Sequence, residues 1–221
     1  MQRKMWMSLC AAALLVLGAM LGMAGRASAA EAPPRMRHAG YIWRIDADDV
    51  QGLPRNFRTM EDEFRAPYKK DMDDSYVPTR EGLERLHASG SGEFSASGLQ
   101  SLLEALAEKT QMPICIVDLR EESHGFFDGI AVSWYGEHDW GNVGLTQEEA
   151  LADEAERIHG AAGQMTAVAH LGGEKNPLDE HEIFVEEAQT EKELVEAAGL
   201  RYKRIAATDH IWPSPAAVDE F

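Results

Sequence analysis

The sequence is poor in cysteine and in positive charge. Two cysteines occur in 221 residues, and Cys10 lies in an apolar segment at the N-terminus, so Cys115 alone follows that segment. One cysteine forms no disulfide within its own chain, so the fold depends on its hydrophobic core. Lysine and arginine number 21 against 38 aspartates and glutamates, a formal net charge of −17. This acidity argues against nucleic acid or anionic membrane as the main partner, but leaves room for an anionic ligand in a locally basic pocket.

Long apolar runs are also scarce, and the clearest one lies at the N-terminus. Two basic residues precede an apolar run at 9–17, and small residues follow at 27–30. This arrangement is typical of a cleavable signal peptide, with cleavage after Ala29 or Ala30. We therefore expect residues 1–30 to be removed, a secreted or periplasmic location, and no membrane association of the mature chain. The alternative is an uncleaved membrane anchor, which three glycines in the apolar stretch disfavour.

The region after the leader begins with a short segment and a predicted core. Residues 31–39 carry two prolines and scattered charge, and we expect a mobile lead-in. Residues 40–121 are predicted to form the first part of an α/β core. Residues 40–45 have the aromatic and β-branched content of a strand, and leucines at helical spacing after Ser95 predict a capped amphipathic helix. A continuous apolar run at 113–119 then predicts a strand buried on both faces of a parallel sheet.

The interval 122–189 is longer than the roughly dozen residues that an α/β crossover needs. It contains three strand-like runs, at 131–135, 165–171 and 182–185. A helix start is indicated at the capping box that begins with Thr146. We therefore predict that this interval is an inserted subdomain.

Residues 190–221 are predicted to continue the core. A second capping box, TEKE at 190–193, starts a helix, and residues 200–206 would form the strand after it. Ser214 followed by Pro215 predicts a further helix start. A helix followed by a strand, occurring twice in the chain, is typical of an α/β protein.

Cys115 does not fit the role of a phosphatase nucleophile. Such a cysteine needs a glycine-rich loop of backbone N–H groups after it and an arginine six positions on. No glycine follows until Gly125, the sixth position is Glu121, and Arg120 falls one residue short. The sequence instead favours a buried strand cysteine that packs as a small hydrophobic residue.

Three places bring histidine next to carboxylates. The runs EHD at 137–139 and DEHE at 179–182 lack a spacing that points two metal ligands the same way, so we expect solvated loops and no metal there. Asp209-His210 is the stronger candidate, because it follows a predicted strand and the carboxyl edge of a parallel sheet is where α/β proteins place their chemistry. A structural turn is the alternative for this pair.

Three segments together resemble the protein-tyrosine-phosphatase-like phytases, secreted bacterial enzymes that remove phosphates from inositol hexakisphosphate. They are LPRNFRT (53–59), VDLREESHGFFDGIAVSWYGEHDW (117–140) and GLRYKRIAATDHIWP (199–213). The resemblance runs in order from about Gly40 to the last residue. It implies a protein-tyrosine-phosphatase-like α/β core, here truncated, with an inserted small β-barrel subdomain that would account for 122–189. It also implies a small-molecule inositol polyphosphate substrate and no cofactor.

The resemblance assigns roles to individual residues. Asp209 matches the general acid of the family, and His210 matches a residue that contacts substrate phosphate. Arg44 matches a phosphate-binding arginine, which also has a physical basis, since a guanidinium grips phosphate at two points. Asp139 matches a polar residue of the pocket, and Lys175 matches a pocket lysine. Its neighbour Glu174 departs from the histidine of a close relative, and a carboxylate there would weaken phosphate binding.

The family's nucleophile motif, HCxxGxxR, does not occur in this sequence. The resemblance places it downstream of Phe221, so we expect an N-terminal part of the enzyme that is inactive and poorly stable alone. One alternative is a non-catalytic module that binds inositol phosphates or another protein. A less favoured alternative is a metal-dependent phosphohydrolase that uses His138 and Asp139. Oligomeric state, pH optimum and positional specificity on the inositol ring are not predicted.

Overall fold

The computed structural model describes residues 42–64, 78–171 and 177–221, with Glu137 described by its backbone alone. These ranges lie within a single compact unit, residues 36–221. The predicted signal peptide (1–30) and lead-in (31–39) lie outside the described residues. No helix in the described ranges is long and apolar enough to cross a membrane.

Strands and helices are mixed along the described chain, with helices between groups of strands. The strands are β1 (Ile42–Ala47), β2 (Arg58–Thr59), β3 (Ser89–Gly90), β4 (Cys115–Arg120), β5 (His124–Phe127), β6 (Ile130–Tyr135), β7 (Met165–Leu171), β8 (Pro177–Phe184), β9 (Ala188–Thr190) and β10 (Arg201–Ala207). The helices are α1 (Ala96–Ala107), α2 (Gln147–Ala161), α3 (Glu191–Ala197) and α4 (Pro215–Glu220). The predicted α/β class is thereby confirmed.

Six strands form the larger sheet, in the order β8-β7-β1-β6-β5-β9. β1 lies inside this sheet, antiparallel to β6 and parallel to β7. Its apolar residues Trp43 and Ile45 pack into a core with Phe127 and Val168. Because side chains alternate along a strand, the intervening Arg44 projects from the other face of the sheet. A paired inner strand therefore presents the predicted phosphate-binding arginine from a fixed backbone.

The interval 122–189 supplies strands β5 to β9 and helix α2. The strands predicted at 131–135 and 165–171 are confirmed, and residues 182–184 of the third predicted run form the end of the longer strand β8. β1 precedes this interval in sequence but pairs with two of its strands. The larger sheet is therefore built from both the predicted core segment and the predicted subdomain.

β4 and β10 form a separate parallel pair. The prediction that β4 is buried on both faces is wrong for the described structure. Asp118 is buried, but Val117 and Leu119 are 41% and 48% exposed, and Cys115 is exposed as well. The expectation that Cys115 is a buried hydrophobic residue is also wrong. The physical reason is that no described element covers the outward face of this pair, which leaves every second residue of β4 in contact with solvent.

The predicted helix starts are confirmed by their hydrogen bonds. The Ser95 hydroxyl accepts from Gly98 N at the start of α1, and the Ser214 hydroxyl accepts from Ala217 N at the start of α4. Both predicted capping boxes are present, at Thr146 for α2 and at Thr190 for α3. Such caps satisfy the free N–H groups of a first helical turn.

A second hydrophobic cluster lies between α1, α3 and the larger sheet. Its buried members are Phe94, Leu99, Leu102, Phe126, Ala131 and Val195. Ile116 of β4 and Tyr202 of β10 pack against this cluster. The inward faces of both sheets thus share one core, and the ends of β1 and β4 meet through the Asp46–Arg120 ion pair.

Candidate functional site

A half-buried arginine, Arg44, lies between two carboxylates. Its Nε donates to Asp46 Oδ1 at 2.5 Å, and its Nη1 donates to Asp139 Oδ1 at 2.6 Å. The guanidinium carbon lies 5.2 Å from the centre of the Tyr135 ring. Among the described residues no hydrogen-bond partner of Nη2 is found. A guanidinium that is fixed on one side and has N–H groups in reserve suits phosphate binding.

Asp139 reaches Arg44 from a tight turn between β6 and α2. His138 and Asp139 both have left-handed backbone conformations, with φ of 63° and 61°, and Asp139 N donates to Gly136 O at 2.9 Å. Such conformations are uncommon outside glycine and persist where surrounding contacts hold them. Burial raises the pKa of Asp139, and the charge of Arg44 opposes this rise in part. The Arg44–Asp139 contact is therefore one that a bound anion or a proton would change.

The predicted acid–imidazole pair follows β10 directly. Asp209 Oδ2 and His210 Nε2 are 3.2 Å apart, and both side chains are about half exposed. The indole Nε1 of Trp140 donates to the backbone carbonyl of Asp209 at 2.9 Å. The His138 and His210 rings meet edge to face with centroids 5.4 Å apart. Residues 138–140 thus contact the acid–imidazole pair and, through Asp139, Arg44.

The structure therefore connects four of the five predicted site residues. Arg44 pairs with Asp139, Asp209 pairs with His210, and the segment 138–140 joins the two pairs. Lys175, together with its neighbour Glu174, lies outside the described residues. The catalytic and binding roles of all five remain predictions.

A network of buried charges behind Arg44 was not predicted from the sequence. Arg120, at the end of β4, donates to Asp46 Oδ2 at 2.9 Å, to Glu93 Oε2 at 2.5 Å and to Glu122 Oε1 at 2.7 Å. Burial would raise the pKa of Asp46, but the charges of Arg120 and Arg44 outweigh it and lower that pKa. An ionised Asp46 shared by two arginines orients the guanidinium of Arg44 from behind.

The network continues inward to Arg204 on β10. Its Nη1 donates to Asp118 Oδ2 at 2.6 Å and to Glu154 Oε2 at 3.1 Å, and its Nη2 donates to the Glu122 carbonyl at 3.0 Å. His124 Nε2 lies 3.1 Å from carboxylate oxygens of Asp118 and of Glu191. These contacts cross between the two sheets, so the network ties β4 and β10 to β5, α2 and α3.

Acid groups outnumber basic groups in this network. Six carboxyl groups meet three basic side chains: Asp46, Glu93, Asp118, Glu122, Glu154 and Glu191 against Arg120, His124 and Arg204. Protonation of two of these carboxyl groups, those of Glu93 and Glu191, reduces the excess of negative charge. Burial raises the pKa of Glu93, and burial with the charges of Glu93 and Asp118 raises the pKa of Glu191 to about 8. Burial lowers the pKa of His124, but the surrounding carboxylates, Asp118 first and Glu154 with it, together outweigh burial and raise that pKa well above its ordinary value.

One part of the network has the composition of a metal site. Glu93, His124 and Glu191 bring possible ligand atoms within 4.8 Å of one another. However, Arg204 Nη1 lies 3.3 Å from His124 Nε2 and so already places a cation at this point. The alternative pair, His138 and Asp139, does not converge, because the Asp139 carboxylate binds Arg44 while the His138 ring lies against Trp140 and His210. The geometry favours an ion-pair network over a metal centre.

The raised pKa of Glu191 predicts a specific pH dependence of stability. Between its ordinary pKa near 4.5 and its folded value of about 8, the folded state binds the proton and the unfolded state does not. The stabilisation of the folded state by this bound proton is therefore complete at low pH, and it is lost as pH rises to about 8. Glu191→Gln mimics the protonated group, so this variant should gain stability relative to the wild type as pH rises from about 5 to 8.

Urea unfolding of the full-length gene product at several pH values checks this expectation. Glu196→Gln is the matched control, because Glu196 lies on the same helix and its side chain is 53% exposed. Its stability difference from the wild type should change little with pH. Equal pH slopes for the two variants would show that Glu191 carries no proton in the folded state.

The fold and the charged site define a mixed α/β protein with a phosphatase-like architecture. Residues 117–221 match the family model of the PTP-like phytases, and the description of that model is inositol hexakisphosphate. This match and the solved structures below confirm the resemblance that the sequence motifs indicated.

Two solved structures agree with this resemblance, and a curated relative is also similar in sequence. The tandemly repeated protein tyrosine phosphatase like phytase from Mitsuokella multacida is 50% identical, with a TM-score of 0.77 over 82% of this chain. The PTP-like myo-inositol phosphatase from the same organism, in complex with myo-inositol-(1,3,4,5)-tetrakisphosphate, is 49% identical, with a TM-score of 0.75 over 82% of this chain. The effector protein hopD2 of Pseudomonas syringae pv. tomato is 31% identical over 85% of this chain. This chain spans 31% of each Mitsuokella chain and 39% of the effector.

Proposed function

We propose that this chain is the N-terminal part of an exported phytase that hydrolyses phosphomonoesters of inositol hexakisphosphate. Asp209 is the general acid, and Arg44, Asp139, Lys175 and His210 contribute to substrate binding. The observation that supports this best is the linkage of Arg44 to the Asp209-His210 pair through residues 138–140. A phosphate-binding guanidinium and a proton donor must lie at the same site for phosphoryl transfer.

The reaction proceeds in two steps in this proposal. A cysteine thiolate supplied by the downstream polypeptide attacks phosphorus, so an S–P bond forms and the P–O bond to inositol breaks. The Asp209 carboxyl group donates its proton to the departing inositol oxygen. The resulting carboxylate then removes a proton from water, which attacks phosphorus and releases phosphate and the thiolate. Arg44 and His210 bind phosphate oxygens, whose charge they balance in both steps.

The exposed face of β4 supports the participation of further polypeptide. Parallel strands are normally covered on both faces, yet Val117 and Leu119 are open to solvent. A groove of about 680 Å³ runs along this strand between α1 and the antiparallel pair β2–β3. We propose that the segment carrying the HCxxGxxR loop packs here. The coding sequence downstream of Phe221 should contain that motif, and an authentic stop codon with no such motif beyond it would remove the basis for an active gene product.

Binding of inositol hexakisphosphate tests the role of Arg44. Arg44→Met should weaken the affinity of the full-length gene product about 10- to 100-fold, since a hydrogen bond to a charged group contributes about 1.5–3 kcal/mol. Isothermal titration calorimetry provides the measurement. Arg201→Met is the control for net charge, because Arg201 is exposed at the start of β10. Equal affinities of the two variants would exclude Arg44 from the binding site.

Binding and phosphate release, both measured on the full-length gene product, distinguish the proposed enzyme from a non-catalytic binding module. A module would bind inositol hexakisphosphate without releasing phosphate, whereas the enzyme would do both. Absence of heat in the titration would count against both functions. A metal-dependent hydrolase would lose its phosphate release in EDTA, and the proposed cysteine mechanism would not.

A further inference from the structure

Trp140 contacts the backbone of the acid-bearing loop. It lies in the turn between β6 and α2, and its indole Nε1 donates to the carbonyl of Asp209 at 2.9 Å. This hydrogen bond and the His138–His210 ring contact tie the loop at 208–213 to the turn at 138–140. The Asp209 side chain itself is 52% exposed and has His210 as its neighbour.

The turn that carries Trp140 is held firmly by its own contacts. The Asn142 side chain is 2% exposed, accepts from Ser123 N at 2.7 Å and donates to the Ser123 hydroxyl at 2.9 Å. Gly141 packs so closely that a Cβ there would lie 2.4 Å from the Trp134 carbonyl oxygen. The indole therefore projects from a turn whose backbone has little freedom, next to a loop with few contacts of its own.

We infer that Trp140 is a positioning residue that holds the Asp209 backbone in place for proton donation, an inference that rests on the proposed function. Its neighbour Asp139 binds Arg44, so one short turn fixes both the phosphate-binding guanidinium and the loop of the proton donor. Correct placement of the reacting groups contributes directly to catalytic rate. Loss of the indole N–H should therefore lower the rate of leaving-group protonation while the phosphate contacts remain.

Trp140→Phe removes the hydrogen bond and keeps an aromatic ring. In the full-length gene product we expect kcat for inositol hexakisphosphate to fall about three- to tenfold, the effect of one neutral hydrogen bond, with little change in KM. An aryl phosphate with an acidic leaving group, such as 2,4-dinitrophenyl phosphate, needs no proton donor. The rate of its first step, measured as the burst of dinitrophenolate, should change by less than about twofold, because Asp209 acts only in the second step of this reaction.

Two further measurements separate positioning from a merely structural role. In an Asp209→Asn background, Trp140→Phe should cause no additional loss, because the indole acts through Asp209. Hydrogen–deuterium exchange of residues 207–213 should become faster in Trp140→Phe and stay unchanged elsewhere in β10 and α2.

The outcomes show whether the role of Trp140 fails or whether the proposed function itself fails. A loss in the burst rate of the aryl phosphate as large as the loss in kcat with inositol hexakisphosphate, or an additive loss in the double variant, would overturn the positioning role of Trp140. Unchanged kcat in Trp140→Phe would overturn it as well, provided that Asp209→Asn is strongly impaired. If Asp209→Asn itself retains its activity with inositol hexakisphosphate, the proposed mechanism fails instead.

Discussion

Asp209→Asn should lower kcat for inositol hexakisphosphate by about 10²- to 10⁴-fold in the full-length gene product, the contribution typical of a positioned proton donor. Asparagine is close in size to aspartic acid, so the loop after β10 should keep its shape. It has no carboxyl proton to give to the departing inositol oxygen. Steady-state phosphate release measures the effect, and affinity for the substrate should change far less than kcat.

The choice of substrate and a neighbouring variant provide the controls. With an aryl phosphate that has an acidic leaving group, the rate of the first step should be nearly normal, because the departing oxygen is stable without a proton. Asp219→Asn removes an exposed carboxylate from α4 and should leave the rate unchanged. A normal rate of inositol hexakisphosphate hydrolysis in Asp209→Asn would mean that another group donates the proton.

Local signals in the sequence were sufficient to predict the helix starts and the acid-bearing loop. A capping box is contained within four residues, and both predicted boxes, at Thr146 and Thr190, form as expected. The position of Asp209 directly after a strand was also a local inference, and β10 does end at Ala207. Such features depend on neighbours in sequence and so do not require knowledge of the tertiary fold.

The buried charge network could not be predicted in the same way. Asp118 and Arg204 are 86 residues apart in sequence, and neither position shows locally which partner it will meet. A charged residue within the apolar run of β4 was the available signal, because a buried charge requires a partner.

The exposed face of β4 was missed for a related reason. An apolar run indicates that a strand is suited to burial, but the covering element must come from elsewhere in the fold.

Arg204→Met should destabilise the full-length gene product by about 3–5 kcal/mol, the usual cost of removing one partner from a buried ion pair. The Arg204 side chain is 3% exposed, and its partners Asp118 and Glu154 are 2% exposed. Methionine fills similar space but leaves both carboxyl groups without the guanidinium. Urea unfolding should show a midpoint lower by about 1–2 M, given typical slopes for domains of this size.

The adjacent residue on β10 provides a matched control. Lys203 Nζ pairs with Glu220 at 2.6 Å, but both side chains are about half exposed, so Lys203→Met should cost no more than about 1 kcal/mol. The two variants remove one positive charge each from neighbouring positions, and they differ in burial. A similar cost for both would mean that water reaches the Arg204 network.

A double variant identifies the origin of the Arg204 effect. If the cost of Arg204→Met comes from the unpaired Asp118 charge, then Asp118→Asn should cause a smaller loss in the Arg204→Met background than in the wild type. The pKa of Asp118 is lowered because the charges of His124 and Arg204 outweigh the effect of burial. Without Arg204, Asp118 keeps one of these cations, so the recovery should be partial. Strictly additive losses would show instead that Arg204 stabilises the fold through packing rather than through its charge.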